Sequence, residues 1–314
     1  MNITSEQYQN AITRSSAQIK RLNAGTKRSM TIIYILIGLS PVFFIIDLIS
    51  KNIINLIIVL LLWGAAALLF YLMRKNIRDY TVKECHTPHT SDIADLEKLM
   101  NAESFSNDFV RMANQLLSKE TDICARGYIR RLLTFGYFFR GEFDIAFRTN
   151  YCDEELFAKD KYYELVYLQN VMFYYFNMPS TTGGTEYGEE AYRHFEDLCA
   201  GGKVNMKNIS VLNAVVSCEL NYAAAHGDWQ RVLDYMDIIS HSYKNVEQSP
   251  SFGAKAEYAE LMLKKAEALY NLGQIHEAKV LLFDWSEYLK PFPYQYNKAQ
   301  RLMQDISQEH TEVQ

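Results

Sequence analysis

Lys264–Ala278 reads KKAEALYNLGQIHEA, and its pattern sets the architecture of most of the chain. Ala266, Leu269 and Tyr270 recur at helical spacing and end at Gly273. Ile275, Ala278 and Leu282 then open a second helical period. A glycine directly after a helix adopts the left-handed C-terminal cap cheaply, because it has no Cβ to clash. The bulky Ile275 is placed to fill the groove between the two helices, and the small Ala278 to let them approach closely. The segment predicts a helix–turn–helix hairpin.

The same arrangement occurs twice upstream. Arg140-Gly-Glu-Phe-Asp-Ile-Ala146 follows LLTFGYFF, and His226-Gly-Asp-Trp-Gln-Arg-Val232 follows ELNYAAA. Each has glycine, a large apolar residue two positions on, and a small or β-branched residue three further on. Six prolines and fourteen glycines in 314 residues are few, and strand-like alternation is scarce. Residues 93–307 therefore read as one all-α domain, followed by a short tail, 308–314.

These hairpins resemble the tetratricopeptide repeat family, whose units carry a Gly-x-Tyr-x-x-Ala turn between helices A and B. Ala266, Leu269, Tyr270, Gly273, Ile275, Ala278 and Leu282 sit at spacings like the family pattern, with Pro291 near the expected repeat end. Gly141, Gly227 and Gly273 are 86 and 46 residues apart, where the family repeats at about 34. A fourth unit fits the wider gap, with Tyr162–Phe176 as helix A, Glu186–Cys199 as helix B and a Gly/Thr-rich Met178–Glu186 loop between them. The resemblance covers most of residues 120–291 and implies an α-solenoid whose A helices line a protein-binding groove.

Ahead of this domain stand two apolar stretches, Met30–Ile46 (MTIIYILIGLSPVFFII) and Ile53–Met73 (IINLIIVLLLWGAAALLFYLM). A bilayer core of roughly 30 Å needs about 20 apolar helical residues. The second meets this, and the first does so if Leu48 and Ile49 extend it past Asp47. Residues 30–73 thus read as a transmembrane hairpin, spans 30–49 and 53–73, with Pro41 kinking the first. Residues 1–29 read as an N-terminal segment with an amphipathic helix from Ser5 to Leu22, lying on the membrane or packed against the larger domain. Residues 74–92 read as a juxtamembrane linker.

Charge follows the same division. Of 32 Lys and Arg and 37 Asp and Glu, ten and four fall before residue 91, leaving 22 and 33 beyond. Basic residues flank both spans from outside the hairpin, so both termini are expected in the cytosol. A bilayer is thereby the hairpin's expected partner, and a bacterial inner membrane suits the pattern better than a eukaryotic endomembrane. An acidic large domain argues against nucleic-acid binding, which depends on cationic contacts to phosphate. Five irregularly spaced cysteines, all beyond the second span, form no disulfide framework.

The sequence holds no P-loop, Gly-x-Ser-x-Gly or His-Glu-x-x-His pattern, so no catalytic residue or cofactor is expected. Cys85, His86 and His89 with Asp92 lack the second ligand pair of a structural zinc site and read as polar linker. Two groups of side chains suit a partner surface. Arg126, Arg130 and Arg131 share one helix, suited to the acidic C-terminus of a peptide or to lipid headgroups, and Tyr163 and Tyr167 belong to a run of seven aromatics from Tyr162 to Phe176. The expected function is a membrane-anchored scaffold or adaptor binding a protein partner. The alternative is an accessory subunit of a membrane enzyme, transporter or secretion complex.

Overall fold

A computed structural model describes residues 3–50, 53–84, 86–88, 90–150, 154–177, 184–240, 243, 246, 249 and 251–312. Among them the regular structure is helical throughout, with no strand. The helices divide into two compact units, Ile12–His89 and the combination of Met1–Ala11 with Thr90–Gln314.

The smaller unit holds most of α1 (Ser5–Ser50) and all of α2 (Ile53–Glu84). Both helices are long and apolar enough to cross a bilayer core. Their large apolar side chains face outward, Tyr34, Leu60 and Leu61 each being about two-thirds exposed. Two sequence expectations are corrected here. The N-terminal amphipathic helix and the first span are one unbroken helix, because Gly25 costs an interior turn only about 1 kcal/mol and Pro41 is carried inside it. The linker is also shorter than residues 74–92. Residues 74–84 contain neither Gly nor Pro and continue α2, and the chain leaves the helix before Pro88.

In the larger unit, side-chain caps start several helices. Thr90 accepts from Ile93 N (3.3 Å) at α3 (Ser91–Glu103), and Ser106 from Phe109 N (3.1 Å) at α4 (Asn107–Lys119). Asp122 caps α5 (Ile123–Phe139) through Ala125 N at 2.8 Å. Hairpins follow, α5 with α6 (Phe143–Thr149) and, after α7 (Glu154–Lys159), α8 (Lys161–Asn177) with α9 (Gly184–Ala200). The last two are α10 (Ile209–Ala225) with α11 (Trp229–Ser240), and α12 (Phe252–Asn271) with α13 (Ile275–Leu289). Helix α14 (Pro293–Glu312) closes the unit and runs five residues beyond the expected end of the domain at 307.

The three quoted turns share one geometry. Gly141, Gly227 and Gly273 have φ of 78°, 70° and 76°. The residue after each donates back to the carbonyl five positions earlier, at 2.9 Å in all three. This is the Schellman closure that satisfies the last helical carbonyls. Ala146, Val232 and Ala278 are each fully buried, as their expected place at the closest helix approach requires. The α8–α9 hairpin matches the inferred fourth unit. The middle of its connection, residues 178–183, lies outside the described residues.

The array closes on itself. Helix α3 packs on α12 and α14 on α5, within one apolar core that runs from Ile93 through Leu133 and Leu263 to Ile306. Phe105 meets Phe252 (ring centroids 5.4 Å apart), Phe143 meets Tyr294 (4.7 Å), and Phe252 N donates to Asn101 Oδ1 (2.8 Å). Such aromatic pairs add to the burial of apolar area that drives the closure. The inner faces of α5, α8, α10 and α12 thereby line a partly open cavity.

Candidate functional site: a polar chamber inside the helical array

Helix α10 is the most apolar helix of the array, yet Ser210, Asn213, Ser217 and Asn221 recur along it at three- and four-residue steps. That spacing places them in one stripe. All four line a cavity of about 190 Å³, together with residues of α5, α8, α12 and α14. Its walls are aromatic (Phe135, Phe138, Phe173, Tyr162) as well as polar. A second cavity of about 410 Å³ lies towards α3, sharing Arg131, Phe135, Phe139 and Glu257 with the first.

At one end of the chamber, Arg131 Nη1 donates to the Tyr162 hydroxyl (2.8 Å). Its guanidinium stands 5.6–5.8 Å from the rings of Tyr162, Tyr128 and Phe135, within cation–π range. Burial works against this charge, but Tyr162, Tyr128 and Glu257 outweigh it and leave the guanidinium more basic than usual. Tyr243 donates to Glu257 Oε2 (2.8 Å). Burial first, then the Glu257 carboxylate, pushes that phenol far above its ordinary range, with Tyr8 and Tyr162 acting in the same direction.

Towards the other end, Gln295 Nε2 donates to Glu260 Oε2 (3.1 Å). Lys264 stands 3.6 Å from Glu260 Oε1 and 5.6 Å over the Phe173 ring. Desolvation lowers the Lys264 pKa, partly offset by Glu260. Four buried polar atoms of the lining have no hydrogen-bond partner among the described residues: Arg131 Nε, Asn221 Oδ1, Glu260 Oε1 and Gln295 Oε1. Asn221 and Gln295 are 5% and 2% exposed. Glu260 Oε1 still faces the Lys264 ammonium, whereas an orphaned buried acceptor costs about 1–3 kcal/mol, so Asn221 Oδ1 and Gln295 Oε1 mark a place suited to donors from outside the fold.

Of the five side chains named for a partner surface, Arg131 alone lines this chamber, joined by Tyr162 and Phe173 of the aromatic run. Arg130, Arg131, Tyr163 and Tyr167 meet instead around a space of about 10 Å³ between α5 and α8, the size of a single water. Tyr163 is 3% exposed and donates to Cys124 O (3.3 Å), so it is a core residue and not a surface contact. Tyr167 is half-buried, its ring 5.5 Å from Phe157. Arg126 is half-buried, with its Nε enclosed and unpartnered among the described residues. Asn213, Asn221, Lys264 and Gln295 were not singled out from the sequence. The polar stripe in α10 was a readable signal for the first two. Lys264 and Gln295 enter only through the closure that brings α12 and α14 to the chamber.

Cys85 and His89 of the inferred polar linker lie outside the described residues, and among the described residues no three His, Cys, Asp or Glu side chains are grouped to hold a metal. Compared with protein families, curated proteins and solved structures, the chain matches none.

Proposed function

We propose that this chain is a membrane-anchored adaptor. Two spans hold a cytosolic array of tetratricopeptide-like hairpins, and the chamber walled by the A helices takes a short segment of a protein partner. The observation that carries this reading is the pair of orphaned acceptors, Asn221 Oδ1 and Gln295 Oε1. Backbone N–H groups of an inserted segment supply donors of the right kind, and the aromatic walls suit its side chains. The basic flanks of both spans support a cytosolic array with both termini inside, and in a bacterium this places the protein in the inner membrane.

Photo-crosslinking in intact cells tests the reading. A photoreactive residue is placed at Ser217 or Gln169 in the chamber, or at Phe283, which is 71% exposed on α13. The expected result is a discrete adduct with one other protein at both chamber positions and none at Phe283. Adducts at all three positions alike, or none from the chamber, would overturn the proposal.

A further inference from the structure

The chamber has a contact that the adaptor reading does not require. Residues at the start of α1 belong to the same compact unit as the array, although the whole of Ile12–His89 lies between them in sequence. Ile3, Tyr8 and Ala11 are buried, Tyr8 completely, while Thr4 to Gln7 are exposed. One face of this short segment is therefore docked. The Tyr8 hydroxyl donates to Asn213 Oδ1, on the polar stripe of α10 that lines the chamber. Tyr8 also acts on the Tyr243 phenol, which lies in the chamber wall beside Glu257.

The segment is prepared for this role by its own sequence. Thr4 Oγ1 accepts from Gln7 N (3.2 Å), and Gln7 Oε1 accepts from Thr4 N (3.1 Å). This reciprocal capping box fixes the first helical turn just before Tyr8, so little order has to be imposed when the segment docks. Three of its side chains are buried, and the apolar core that joins α3, α4 and α5 to α12, α13 and α14 does not include them. Such a contact is small enough to be exchanged and local enough to be present at high effective concentration.

We propose that residues 3–11 are the resident ligand of the chamber at its Asn213 end, and that a partner enters by displacing them with a helical segment that presents a tyrosine in place of Tyr8. This rests on the chamber being a binding site, and it adds the chemistry of what binds there. The partner's phenol takes the Asn213 amide oxygen, and an apolar residue one turn on replaces Ala11. A resident segment scales the apparent affinity of any competitor by the fraction of time the site is open.

The test uses the full chain in detergent and, as probe, a fluorescent synthetic peptide of residues 1–14, MNITSEQYQNAITR. Binding is read by anisotropy. The wild-type chain is expected to bind the peptide weakly, and the Tyr8→Ala chain about tenfold more tightly or better, because its own segment no longer competes. A peptide with Tyr8→Ala is expected not to bind, and Asn213→Leu in the Tyr8→Ala chain to abolish binding. Tyr8→Phe in the chain removes only the hydroxyl and should give a smaller gain in the same direction, which covers the case in which Tyr8→Ala does not fold. Equal affinity for wild-type and variant chains, or no binding to a variant of unchanged helicity, would overturn the proposal. The probe needs no outside partner, so this result and the cross-linking result fail independently.

Discussion

Arg131 and Arg130 are neighbours in sequence with different positions in the array. Successive residues on a helix point about 100° apart, so one step along α5 turns Arg131 into the main chamber, while Arg130 lines only the small space against α8. Cys199 and Cys218 are buried, and burial pushes the Cys199 thiol up to about 11 and Cys218 well above its usual value. A thiol that ionises near pH 11 is about one part in a thousand thiolate at pH 8, and the thiolate is the reactive form. Alkylation of both in the folded chain should be slow at pH 8. For Cys199 it should quicken about tenfold per pH unit toward 11, as the thiolate fraction rises. Labelling with iodoacetamide followed by peptide mass spectrometry checks this. Rates at pH 8 equal to those of the denatured chain would contradict the burial.

The helix hairpin is the element most fully written in the sequence. Three glycines, each followed by a large and then a small apolar residue, announced three Schellman turns, and all three have the left-handed glycine the pattern required. Replacing Gly273 by Val places a β-branched side chain at φ 76°, which should cost about 1–2 kcal/mol in thermal or denaturant unfolding. A neutral substitution would remove the cap assignment. The α8–α9 hairpin was inferred from its two helical stretches, since the sequence between them lacks the glycine motif of the other three. Its close approach depends on Gly188, where a Cβ would stand 2.4 Å from the Phe176 ring. Two helices run past the expected spans because polarity changed before the helix ended. Residues 12–29 and 74–84 are polar or basic but remain helical, as nothing in them breaks a helix that is already nucleated.

At the scale of the molecule, the least legible feature was closure. Sequence periodicity defines each hairpin but says little about how far the array curves, because curvature accumulates from small rotations between neighbouring repeats. Contacts such as Phe105 with Phe252 join segments far apart in the chain, and without them Arg131, Asn221, Lys264 and Gln295 would not share one cavity. The two apolar helices, by contrast, were readable from length and hydropathy alone, and α1 and α2 are long and apolar enough to cross a bilayer. The adaptor proposal depends on which side of the membrane the array faces. Its most direct test is labelling of intact cells with a membrane-impermeant thiol reagent, using a chain whose native cysteines are replaced and a single cysteine is introduced. The account predicts labelling of Ser50→Cys, at the end of α1, and protection of Ser91→Cys, exposed at the start of α3, until the cells are opened. Labelling of Ser91→Cys from outside, with Ser50→Cys protected, would contradict it.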